Sequence, residues 1–201
     1  MKAVLLSIRP EWCNLIIRGQ KTLEVRKTRP KLETPFKVYI YCTRTASKEF
    51  NSDDRNWDVS AKVHGGWPDK RGHVIAEFTC DRVDTIIHIQ SAECFESAKP
   101  GIRDERYFYK PIDDLLQESN LSLQELENYL QGRNGYGWHI SDLKIYDKPV
   151  RLEDFWAIQP CTHRGDCCTC RRWDAEKLIC RGETFGIERP PQSWYYVEDG
   201  R

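Results

Sequence analysis

The first eight residues form an almost unbroken apolar run, in which Ala3, Val4, Leu5, Leu6 and Ile8 predict a buried strand. The period then changes. Trp12, Leu15 and Ile16 recur at helical spacing. Pro10 suits the first turn of that helix, Glu11 suits the positive end of its dipole, and Arg18 and Gly19 form its stop. From Lys21 to Lys27 the period is two, with Leu23 and Val25 on one face and Thr22, Glu24 and Arg26 on the other. Pro30 and Pro35 bound a loop, and Phe36 to Cys42 predicts a third strand.

Residues 43–71 are polar around Trp57 and Trp67 and read as a long excursion, while Gly72 to Ile89 is a β-rich run. Residues 90–120 carry little pattern. Ser122 and Glu125 then make a capping box before Leu123, Leu126 and Leu130, and Gly132 ends that helix. Tyr136 to Tyr146 returns to strand, closed by Pro149. Short strands, few helices and non-sequential returns predict an α+β fold built on a small mixed barrel, not a doubly wound sheet. The expected organisation is one domain over residues 1–158, with an insertion around 43–71, then a Cys-rich extension over 159–201. Trp194 to Val197 would close the sheet from that extension.

Composition narrows the class. No stretch of the 201 residues approaches the roughly 18 apolar positions of a membrane span, and the apolar start is too short for a signal peptide. Nine cysteines is an odd count, which points to reduced thiols and a cytoplasmic setting. The net charge of zero hides an asymmetry. Residues 1–50 hold 11 Lys/Arg against 4 Asp/Glu, whereas residues 77–130 hold 5 against 12. A basic N-terminal half suits a phosphate backbone; it equally suits plain solvation of one side.

Gly19-Gln20-Lys21-Thr22-Leu23-Glu24-Val25-Arg26 resembles the G-x-K-x-x-E-x-R signature of ASCH domains, a PUA-like family. Leu6 to Trp12 resembles the family's opening strand and helix, and Gly137 to Leu143 resembles the late strand of its bacterial and phage members. Pro190 to Trp194 is also similar to those proteins. The resemblance covers roughly residues 2–155 and implies a PUA-like mixed β-barrel with flanking helices. It also implies a cleft beside the first helix that takes RNA or a modified nucleoside.

By spacing alone, Glu24 and Arg26 share a strand face, and Lys21 lies at the turn where parity is loosest. A lysine pressed toward a core beside a carboxylate is a base or a phosphate hook; the alternative is a surface Glu–Arg pair with a snorkelling lysine. The resemblance favours the first reading, with Lys21 and Glu24 as catalytic candidates. Arg9, Lys21, Glu24, Arg26, Trp138 and His139 are the ligand-binding candidates. Trp138 offers a stacking face or a core ring, and His139 a cleft or a structural imidazole. Some ASCH enzymes resemble amide hydrolases that use Lys, Thr and Glu. Lys21 matches the first, Glu24 stands where the Thr is expected, and Glu118 falls near the third. Others resemble ribonucleases.

Five of the nine cysteines fall within residues 161–180. Cys167 and Cys170 have the C-x-x-C bite, and with Cys161 and Cys180 they would close a tetrahedron around one structural zinc; Cys168 and His163 are spare ligands. Free thiols or a redox pair are the alternative. Three functions follow in order: RNA or nucleic-acid binding, hydrolysis of RNA or of a modified nucleoside, and docking of a partner protein through the Cys-rich segment.

Overall fold

The structure is a computed structural model that describes residues 2–44, 71–87, 101–103, 109–110, 112–159, 173–174, 179–180 and 183–199. Most of the excursion expected at 43–71 therefore lies outside the described residues, as do Cys161, Cys167 and Cys170.

Strand β1 (Lys2–Ile8) lies near the middle of a seven-stranded sheet. It pairs in parallel with β3 (Phe36–Cys42) and antiparallel with β14 (Trp194–Glu198). This position explains the continuous apolar run, since both faces must be covered. Val4, Leu6 and Ile8 enter one core with Val38, Ile40 and Phe78. Ala3 and Leu5 enter a second core, on the other face, with Tyr39, Phe155 and Val197. The sheet is completed by β4 (His73–Cys80), β9 (Ser141–Val150), β10 (Trp156–Gln159) and β13 (Glu183–Gly186), in the order β13-β10-β14-β1-β3-β4-β9. The expected closing strand near Trp194 is thus paired directly with the N-terminal strand.

Helix α1 (Pro10–Ile17) starts with Pro10 in its first turn and Glu11 near its positive end. It stops at Gly19, whose φ of 69° is cheap only without a Cβ. The Gly19 and Gln20 amides bond back to Ile16 and Leu15. The chain then enters β2 (Leu23–Arg26), the edge of a second sheet completed by β8 (Gly135–His139), β5 (Val83–Ile87), β6 (Gly101–Arg103) and β7 (Tyr109–Lys110). Helices α2 (Ile112–Ser119) and α3 (Leu123–Leu130) supply Leu115, Leu126 and Leu130 to a third core with Leu23 and Val25. A short ribbon pairs β11 (Trp173–Asp174) with β12 (Ile179–Cys180).

Several expectations are corrected. The two larger sheets do not join into a closed barrel among the described residues. The chain passes between them at Asp81–Arg82 and at Ile140, where backbone donors leave the ladder: His139 N bonds to Arg82 O at 3.0 Å and Ile140 N to Thr22 O at 2.9 Å. The same corners split the β-rich run after Gly72 into β4 and β5, and the strand expected over Tyr136–Tyr146 into β8 and β9. Strand β9 runs through Pro149 to Val150. Helix α2 falls where the sequence showed little pattern. Helix α3 has its capping box, but Gln131, not Gly132, is the C-cap, at φ 54°. No described helix is long and apolar enough to cross a membrane.

Candidate functional site

The end of α1 and the start of β2 bring three charged side chains together inside the protein. Lys21, Glu24 and Arg26 are 3%, 5% and 9% exposed. Lys21 Nζ lies 3.4 Å from Glu24 Oε2, and Arg26 Nη2 lies 2.9 Å from Glu24 Oε1. One carboxylate thus bridges two cations. The loose parity at Lys21 is resolved by the helix stop: the Lys21 amide still bonds to Leu15 O at 3.2 Å, so strand alternation begins after it.

Each cation has a second anchor. Lys21 Nζ donates to Ser119 O at 2.7 Å, at the end of α2 where carbonyls lack helical partners and the dipole is negative. It also stands 5.1 Å from the ring centroid of Trp12 on α1. Arg26 Nη2 donates to Ser7 O at 2.6 Å, near the end of β1. Arg26 Nε is buried and has no hydrogen-bond partner among the described residues. Burial holds the Lys21 ammonium below its ordinary pKa, opposed by the Glu24 charge and hydrogen bond and reinforced by the nearby Arg26 charge.

Helix α3 forms a further wall. Glu125 is held in its capping box, which keeps its carboxyl below the usual range through the Ser122 bonds. One turn on, Tyr129 stands beside Arg26. Burial pushes its phenol up in pKa, while the nearby Arg26 charge pulls it back.

The remaining candidates lie elsewhere. Arg9 is exposed at the N-cap of α1. Trp138 sits opposite Glu24 in the β2–β8 ladder but is 0% exposed. Its ring packs edge-on against Phe36, 5.8 Å away, and tilted against Trp194 at 6.2 Å. Of the two readings the sequence left open, stacking face or core ring, its packing is that of a core ring. His139 follows Trp138 and so takes the opposite sheet face. There its Nε2 lies 2.8 Å from Asp84 Oδ2, and Arg82 reaches both His139 and Asp84, with Nε 3.1 Å from Asp84 Oδ1. That places His139 in a separate polar knot at the β5–β8 corner. Glu118 accepts the Thr22 amide on its backbone carbonyl at 2.8 Å, beside the cluster. Of the proposed zinc ligands only Cys180 belongs to a described strand, and no group of three or more metal-ligating side chains occurs among the described residues.

Sequence reasoning missed Trp12, Ser119 and Tyr129 as neighbours of the cluster. Trp12 carries only the apolar period of its helix, Tyr129 only a position on a helix, and Ser119 lies in the stretch without pattern.

A chain with this opening strand, helix stop and buried Lys–Glu–Arg set matches the ASCH domain over residues 6–113. The protein belongs to the ASCH domain family. Among solved structures, ASCH from Zymomonas mobilis is similar at 17% identity, with 75% of this chain and 73% of that chain covered and a TM-score of 0.45. A point mutant of the same Zymomonas protein is similar at 15% identity over 98% of this chain and 89% of that chain, with a TM-score of 0.51. No curated protein matches the sequence.

Proposed function

We propose that the protein binds RNA, with exposed basic residues around α1 and β2 meeting phosphates and the Lys21–Glu24–Arg26 cluster recognising a nucleotide. The observation that carries this reading is the burial of three charges on one carboxylate bridge, with Arg26 Nε left without a partner. Desolvating such a set costs stability that an apolar core would not forgo, and ligand recognition is a reason to keep it. Arg9, Lys27, Arg29 and Lys31 are exposed on the same N-terminal segment and supply the salt-sensitive part of the affinity. Membership of the ASCH family, whose cleft beside the first helix is proposed to bind RNA or a modified nucleoside, supports the reading. The test is binding of a short single-stranded RNA at low and raised salt. The expected result is affinity that falls with salt, with a shallower slope after Arg9→Glu and Lys27→Glu. Absence of binding at low salt, or indifference to both reversals, overturns the reading.

A second reading, hydrolysis of RNA or of a modified nucleoside, is favoured by one observation: Lys21 is held below its ordinary pKa in contact with a carboxylate. Turnover lost in both Lys21→Ala and Glu24→Gln, with the fold retained, would support it. Full activity in both would remove it. For the C-terminal cysteines the proposal remains one structural zinc on Cys161, Cys167, Cys170 and Cys180, supported by their density and the C-x-x-C bite.

A further inference from the structure

Among the described residues Tyr129 is one of four exposed large hydrophobic side chains, at 38% exposure, and it lies beyond the residues that match the ASCH family. Its two ends differ. The hydroxyl end feels the nearby Arg26 charge, while the Lys27 ammonium stands over the ring, 5.2 Å from its centroid. A partly open aromatic ring beside Arg26, with a lysine ammonium over its face, has the parts of a stacking platform for single-stranded nucleic acid. The acidic neighbours on α3 add negative charge at this point, which the Arg26 and Lys27 cations offset. Glu125 is engaged with Ser122, and Glu127, two residues from Tyr129, projects from another side of the helix.

We propose that Tyr129 stacks a nucleobase of single-stranded RNA next to the Arg26 end of the buried cluster, while Lys27 swings from the ring to the adjoining phosphate. This rests on the RNA reading above and adds a named subsite to it. The stack would sit at the surface, and the cluster would meet the next nucleotide.

The experiment compares wild type, Tyr129→Leu, Tyr129→Phe and Lys27→Ala by fluorescence anisotropy. The probes are a short single-stranded RNA and a ribose-phosphate chain of equal length without bases. The expected loss for Tyr129→Leu on RNA is about tenfold, the order of one stacked base, with most affinity kept in Tyr129→Phe. On the base-free chain Tyr129→Leu is expected to bind as wild type does. Lys27→Ala is expected to lower the salt slope by about one on either probe. If wild type binds RNA and Tyr129→Leu binds equally well, or weakens both probes alike, the subsite is overturned while the RNA reading stands. If wild type binds neither probe at low salt, both are overturned.

Discussion

The ammonium of Lys21 donates to the carbonyl of Ser119 at 2.7 Å, across a sequence separation of 98 residues. This contact joins the turn after α1 to the end of α2, so the residue expected to bind a ligand is also a tie between two helices. Replacing Lys21 by Met leaves the Ser119 carbonyl without that donor and Glu24 with one cation fewer. The expected loss is about 3 kcal/mol, the size seen when one member of a buried ion pair is removed. Urea unfolding of the variant measures it. A loss under about 0.5 kcal/mol would mean the contact contributes no more than a surface pair.

The lowered pKa of Lys21 sets the sign of a pH effect. Its unfolded value is about 10.4, and the folded value lies below that. Between the two, the unfolded chain binds more protons, so this residue's contribution to stability rises with pH through that window. Buried Cys80, pushed up to about 12 by burial, acts in the opposite sense above the ordinary thiol range. The difference in stability between wild type and Lys21→Met, followed from neutral to alkaline pH, isolates the lysine. It is expected to grow in favour of wild type, and a flat difference would refute the assignment.

Ser122→Ala removes the hydroxyl that accepts from the Glu125 amide and bonds its carboxylate. The expected cost is about 1 kcal/mol at neutral pH. Because the folded Glu125 pKa is lowered, its share of this stability is present above the unfolded value and lost as pH falls through the folded one. The gap between the thermal melts of the two proteins should therefore narrow in acid without closing, since the Glu125 amide still bonds to the Ser122 hydroxyl.

At Gly137 a Cβ would meet Leu23 Cδ2 at 2.9 Å and Cδ1 at 3.0 Å, and Leu23 is itself fully buried. Gly137→Ala must push Leu23 into the third core, at a cost of about 1–3 kcal/mol. The companion change Leu23→Val should recover part of the loss, and a double-mutant cycle reads the coupling.

Zinc is testable without any activity. Protein purified without chelator is expected to carry one equivalent by elemental analysis, and removal of the metal is expected to leave the sheets folded because they have their own cores. Less than about half an equivalent would count against the site.

Local chemistry in the sequence was sufficient for the unbroken β1 run, for α1 between Pro10 and Gly19, and for the Ser122–Glu125 box. Each is decided by groups within a few residues of one another. The Lys21–Glu24–Arg26 set was legible for the same reason. Its burial was not, because the Ser7 carbonyl, the Ser119 carbonyl and the Trp12 ring come from three other elements. Trp138 and His139 show the limit most directly. They are adjacent in the chain and both are ligand candidates by sequence, yet strand alternation sends one into the main core and the other to Asp84 on the opposite face. Helix α2 had weak local signal and is held by Leu115 and Ile112 against β2. The open edge between the sheets depends on two corners, at Asp81–Arg82 and Ile140, where bonding to distant backbone outweighs the continuous β propensity of the segments they interrupt.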